Sequence, residues 1–184
     1  MLITLALLAA IILAAGFLVG IYNRLIKNRN LVQEGFSGIE VQLKKRADLI
    51  PNLIETVKGY MKHEREVLED VTKYRAMAGE ASGAAQTAQA EGMLSQALGR
   101  LFAVAESYPD LKANQNFMEL QSALQEVEQS IEMARRYYNG VVRNYNITVE
   151  SFPSNLVANS FGFAKEEYFE IQDQADRQVP EVRF

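Results

Sequence analysis

The sequence has no cysteine, no tryptophan, one histidine (His63) and only four prolines among its 184 residues. Without thiols the chain makes no disulfide, no iron–sulfur cluster and no thiolate metal site. With one imidazole it builds no site from two histidines of the same chain. Positive charge is not in excess either: 19 Lys and Arg stand against 23 Asp and Glu, for a net charge of −4. That balance argues against nucleic acid as a partner, because a nucleic-acid face needs a basic surface. No G-x-x-x-x-G-K-[ST] phosphate loop and no G-x-S-x-G elbow occurs. No stretch alternates apolar and polar residues as a half-buried strand does. These gaps remove most familiar chemistries, and no cofactor is expected.

Apolar residues are present in quantity and unevenly placed. In the first 22 positions only Thr4, Gly16 and Gly20 fall outside the apolar set. Residues 2–22 carry no charge, and as a helix they would be about 31 Å long, matching a bilayer core of about 30 Å. The segment reads as a transmembrane anchor (residues 1–22). The alternative, a cleaved signal peptide, lacks a basic leader, has an overlong apolar run, and finds the small residues Ala14-Ala15-Gly16 inside that run. Arg24, Lys27 and Arg29 follow the span, so the positive-inside rule favours a single-pass protein of the bacterial cytoplasmic membrane with its remaining domain in the cytoplasm. Gly16 and Gly20 form a G-x-x-x-G pair that lets spanning helices approach closely.

The rest reads as helix. Phe117, Leu120, Leu124, Val127, Ile131, Ala134, Tyr138, Val141, Tyr145, Thr148 and Phe152 step by three and four without a break, a coiled-coil-like seam. Pro109 and Asp110 are expected to open this helix and Pro153 to stop it. An earlier stripe runs from Val32 through Phe36, Ile39, Leu43, Ile50, Leu53, Val57 and Tyr60 to Val67, Val71 and Tyr74. It keeps phase across Pro51, which favours a kinked helix over residues 24–76 rather than two helices. Gly79 and Gly83 are breakpoints in the Ala-, Gly- and Gln-rich stretch that follows. Leu94, Leu98, Leu101, Ala105 and Tyr108 mark another helix, and residues 155–172 a short one.

Single apolar faces are stable only when packed together. The fold class is therefore all-α: an N-terminal transmembrane helix followed by an antiparallel four-helix bundle with long helices over residues 23–172, and a polar tail at 173–184. A first helix of about 78 Å would overrun its longest partner, at about 53 Å. The excess is read as a membrane-proximal stalk. Phe36 and Ile39 on it, with Gly16 and Gly20 in the span, are candidate contacts of a homo-oligomer.

Candidate chemistry is sparse. His63-Glu64 lacks the second histidine of H-E-x-x-H, since position 67 is Val, and Tyr60 stands where a di-iron E-x-x-H needs Glu. His63 is read as a helix-surface or packing residue. Arg46 is expected to pair with an acidic residue on a facing helix, with Glu128 the candidate, and Asp48 is a candidate cap for backbone N–H groups exposed by the Pro51 distortion. Tyr138 and Tyr145 should be core rings whose hydroxyls find partners. The arginines near them would meet lipid phosphates only if that helix end returned to the membrane, which three alternating helices do not provide.

Several stretches resemble the LemA family of bacterial membrane proteins. They are Tyr22-Asn23, the run Arg46-Ala47-Asp48-Leu49-Ile50-Pro51-Asn52-Leu53-Ile54, Gly59-Tyr60 followed by His63-Glu64, Tyr108-Pro109-Asp110, Tyr137-Tyr138-Asn139, Asn144-Tyr145-Asn146, and Gly162-Phe163. The resemblance covers nearly the whole chain; Phe36 stands where the family often has Trp. It implies a four-helix bundle behind one N-terminal anchor, with no established enzymatic activity and no catalytic residues. Members often carry a lipoprotein-type Cys that would put the bundle outside the cytoplasm, which opposes the positive-inside reading. The expectation is a self-assembling scaffold at the lipid bilayer, without catalysis. The alternative is a metal-dependent sensor or enzyme using Asp48, Glu55, His63 and Glu64.

Overall fold

The computed structural model describes residues 1–61 and 63–170. Among the described residues it has six helices and no strand. They are α1 (Leu2–Lys58), α2 (Arg65–Glu80), α3 (Ala84–Ala105), α4 (Pro109–Lys112), α5 (Gln115–Glu150) and α6 (Ser154–Phe161). The expected all-α architecture with one long apolar N-terminal helix is what the chain adopts. The expected polar tail lies outside the described residues. Two compact units form: Met1–Gly38 with Ala134–Glu167, and Ile39–Met133 with the described residues from Tyr168.

The second unit is a four-helix arrangement. Short connections between α1, α2 and α3 make successive helices antiparallel. Cross-contacts give the levels. Arg46 on α1 meets Ser95 on α3 and Glu128 on α5. At the other end Asn114 meets Tyr60, and Tyr108 meets Glu64. Thus α2 and α5 run opposite to α1, and α3 runs with it. Ile50, Leu53, Val57, Val71, Leu94, Leu101 and Leu111 meet in the core, each almost wholly removed from solvent. All but Leu111 belong to the two stripes of three- and four-residue steps read from the sequence.

The helix expected over 24–76 is two helices. It passes through Pro51 unbroken but ends at Lys58. Backbone bonds from Tyr60 and Met61 to the Val57 carbonyl close the helix, and α2 begins at Arg65. The apolar phase resumes on α2, which is why the stripe looked continuous. Continuity at Pro51 has a physical account. Proline lacks the N–H that would bond the carbonyl four residues back. That carbonyl, of Ala47, instead accepts a 2.8 Å bond from Arg75 Nε on α2. The orphaned group is an acceptor, so it needs a donor. Asp48, exposed on the helix surface, offers only another acceptor.

Two other boundaries shift. Pro109 opens only the single turn α4; the long helix α5 starts after Asn114, whose Oδ1 accepts the Phe117 N–H at 3.0 Å as an N-cap. The last helix ends at Phe161 rather than near 172, because Gly162 adopts φ +72° and terminates it. Of the two glycine breakpoints, Gly83 is the turn (φ +79°), while Gly79 stays inside α2.

In the first unit the early half of α1 packs on the late half of α5 and on α6. Gly35 allows the approach: a Cβ there would stand 3.3 Å from Tyr138 Cα. Phe36 packs against the Tyr138 ring at 5.8 Å between centroids. Asn28 Nδ2 bonds Thr148 Oγ1 at 3.1 Å. The stalk expectation is thereby corrected. Phe36 is half-buried by its own chain, and Ile39 is fully buried. With the extra reversal at Lys58, α5 returns along α1, and its C-terminal end lies beside residues just after the apolar span. The seam holds through Thr148, but Phe152, its expected last member, turns outward and is 79% exposed.

Candidate functional site

Arg46 is the most conspicuous polar group of the second unit. It is 2% exposed, on a helix face otherwise filled by Leu43, Ile50 and Leu53. Its guanidinium bonds Glu91 through a carboxylate oxygen and the backbone carbonyl, Ser95 Oγ at 2.8 Å, and Glu128 Oε2 at 2.7 Å. Glu128 is the partner the sequence pointed to. Glu91, which is buried, was missed because it sits in an Ala- and Gly-rich stretch whose only legible signal was a break. Glu128 is half-exposed, so the network has one dry and one wet end. Beside it lies a cavity of about 330 Å³ lined by Arg46, Ser95, Leu98, Phe102, Leu124 and Glu128 among others. The arrangement is a paired charge inside a bundle. Its chemistry is that of a structural tie: a donor-only guanidinium and two accepting carboxylates, with no free nucleophile.

The turn after α1 gathers the second cluster. Gly59 and Tyr60 form the turn, and His63 lies in it, exposed, rather than on a helix. The His63 N–H donates to Glu64 Oε2 at 3.1 Å, and the Tyr108 hydroxyl donates to the other Glu64 oxygen. That hydroxyl holds the Glu64 carboxyl below its usual range, and the carboxylate raises the Tyr108 pKa in return. Tyr60 Oη accepts from Asn114 Nδ2 at 3.0 Å. Pro109 and Asp110 sit in α4 and Asn52 on α1, where its carbonyl accepts the Thr56 hydroxyl at 2.8 Å. Among the described residues no three His, Asp or Glu side chains come together as a metal would require. Asp48 and Glu55 are not brought to His63 and Glu64 as a ligand set.

In the first unit the chain after Gly162 is held along α5. Asn146 is buried and pairs with the Glu166 backbone in both directions, at 2.9 Å to its carbonyl and 2.9 Å from its N–H. Such an amide imitates a neighbouring strand, which satisfies the extended segment without a sheet. The Tyr138 hydroxyl donates to the Glu167 carbonyl at 2.8 Å. Burial, then the charges of Glu166 and Glu167, push the Tyr138 pKa up to about 12. Burial also raises Tyr145. Asn139 lies half-buried on the same helix. Phe163 is buried against Tyr22, 5.7 Å between centroids, with the Arg29 guanidinium 5.3 Å from its ring centre.

The apolar segment presents the reverse picture. Residues 1–20 are exposed throughout, and Gly16 and Gly20 have open space where a Cβ would stand. This helix is long and apolar enough to cross a membrane.

Known proteins agree with the motifs. Magnetosome protein MamQ 2 of Paramagnetospirillum magneticum is 24% identical over 86% of this chain and 68% of its own length. Protein LemA of Metamycoplasma hominis is 24% identical over 90% of this chain and 77% of its own. Magnetosome protein MamQ of Magnetospirillum gryphiswaldense is 23% identical, again over 86% and 68%. The LemA family profile matches residues 35–184. The protein is thus membrane-associated, and the chain belongs to the LemA family.

Proposed function

We propose that this protein is a membrane-anchored scaffold that self-assembles and performs no catalysis. The observation that carries the reading is α1. An apolar segment exposed along residues 1–20 continues as one uninterrupted helix into the packed residues up to Lys58. An anchor that runs on into packed residues of its own unit, Leu25 and Val32, suits a protein that positions other molecules at a bilayer. The chain's polar investment supports this: Arg46, Arg75, Asn146 and Tyr138 all tie helices or segments to one another. Self-assembly is placed on the spanning helices, where Gly16 and Gly20 offer a close approach. Ile39 is buried within its own chain, so the stalk no longer supports oligomer contacts.

Native mass spectrometry of the detergent-extracted chain tests assembly. An oligomer that dissociates in the Gly16→Leu/Gly20→Leu variant is expected, and a strictly monomeric particle refutes it. Stoichiometric metal in the purified protein, lost in His63→Ala, would refute the non-catalytic reading. Our reading puts the bundle on the cytoplasmic side, and the charges of Arg24, Lys27 and Arg29 after the span support it. The chain lacks cysteine, so an exposed Ser107→Cys is a unique label. Reaction with an impermeant thiol reagent in intact cells would overturn that side.

A further inference from the structure

The end of the span does not stand alone. α6 lies against its last turns, with Tyr22 and Phe161 in edge-to-face contact at 4.9 Å. Leu18, Val19, Tyr22, Leu156, Val157 and Phe161 line a shared apolar hollow of about 380 Å³. One side of α6, Val157 and Ala158, is buried. The other is open: Leu156 is 57% exposed, Phe161 65% and neighbouring Phe152 79%. Large apolar groups in water at this density are unusual on a surface that faces only solvent.

Their level along α1 identifies what covers them. The contacts are to Leu18, Val19 and Tyr22, still within the uncharged run. The rings of Tyr22, Phe161 and Phe163 form the next layer. The exposed cations Arg24, Lys27 and Arg29 come just beyond it. Apolar, then aromatic, then basic is the order of a bilayer leaflet from acyl chains to headgroups.

We infer that α6 is an interfacial helix: with Phe152 it inserts Leu156 and Phe161 into the acyl–headgroup boundary of the membrane that α1 spans. The inference rests on the anchor reading of α1. Its occupant is lipid, because the open face continues the lipid-facing surface of the span without a step. A second consequence is geometric. Two apolar elements at one leaflet restrict the tilt and rotation of α1, which a lone span leaves free.

The chain has no tryptophan, so single Trp substitutions report depth without background. Four full-length variants are reconstituted in phosphatidylcholine–phosphatidylglycerol vesicles: Leu156→Trp, Phe161→Trp, Ile12→Trp and Tyr137→Trp. Tyr137 is the control outside the membrane. It lies beside Gly35, about 20 Å further along α1 than Tyr22 at 1.5 Å per residue. The α6 positions are exposed, so the substitutions do not touch the core, and helical circular dichroism checks this. Lipids brominated near the carbonyl end of their chains should quench emission from both α6 variants more than lipids brominated near the chain ends do. Ile12→Trp should respond most to bromines near the chain ends, and Tyr137→Trp to neither. Unquenched α6 variants beside a quenched Ile12→Trp overturn the inference and leave the anchor. If their emission is then also blue-shifted, a second copy of the chain covers the face. An unquenched Ile12→Trp overturns the anchor reading, and this inference with it.

Discussion

The Arg46 network makes a quantitative demand on stability. Arg46 bonds two carboxylates, Glu91 on α3 and Glu128 on α5, but their surroundings differ. The Arg46 and Glu91 side chains are 2% and 7% exposed, while Glu128 is 52% exposed. Removing Arg46 by Arg46→Met strands the Glu91 carboxylate in the core, at a cost of about 3–5 kcal/mol. Glu91→Leu strands the guanidinium less completely, because Glu128 and Ser95 still hold it; about 2–3 kcal/mol is expected. Glu128→Gln keeps an acceptor and exposes it to water, so the loss should be below about 1 kcal/mol. The double variant Arg46→Met/Glu91→Leu removes both buried charges and should recover most of the single-variant loss. Urea unfolding in detergent, followed by helical circular dichroism, reads these differences. For a chain of this size each kcal/mol moves Tm by about 2–4 °C. The reasoning fails if Glu128→Gln costs as much as Arg46→Met, or if the double variant is as unstable as the two singles summed.

Three further outcomes follow from named contacts. Arg75→Met should cost about 1–2 kcal/mol with Pro51 present and almost nothing in Pro51→Ala, where residue 51 regains the N–H that bonds Ala47; additive losses in that cycle refute the Arg75 assignment. Tyr138 has its pKa raised from 10.0 to about 12. A raised folded-state pKa gives stability that is complete below pH 10 and lost as pH climbs towards 12, by at most about 2.7 kcal/mol. Tyr138→Phe should flatten that part of the stability–pH curve, and an unchanged slope counts against it. Gly35→Leu should destabilise the chain by about 1–3 kcal/mol, since its Cβ would press on the Tyr138 backbone; an unfolding midpoint equal to wild type shows that α1 and α5 are not closely packed there.

Much of the fold was legible because helix packing is periodic. Ile50, Leu53 and Val57, and Leu94, Leu98 and Leu101, announced their burial by spacing alone. So did Tyr138 and Tyr145, and Glu128, one of the two acidic partners of Arg46, was found as well. What stayed hidden was local punctuation and distant pairing. The stop after Lys58 was masked because Val67 and Val71 resume the stripe in phase. Asn114 as the true cap of α5 was eclipsed by the louder Pro109. Neither Arg75 with Ala47 nor Asn146 with Glu166 carries any signal in spacing, since each joins a side chain to a backbone group on another segment.

By itself the sequence determined the helical class, the apolar N-terminal segment, the family and the absence of cysteine chemistry. Composition and short-range period decide those, because a helix hides or exposes whatever recurs every three or four residues. Tertiary structure alone decided the number of reversals, and with it the direction of α5. One unread reversal after Lys58 inverts every helix after it, so α5 returns along α1 and delivers α6 to the end of the span. The same packing closes Ile39 inside the chain and opens Phe152, Leu156 and Phe161 beside Tyr22. Exposure is a property of neighbours, and neighbours such as Tyr22 and Phe161 lie more than a hundred positions apart in sequence.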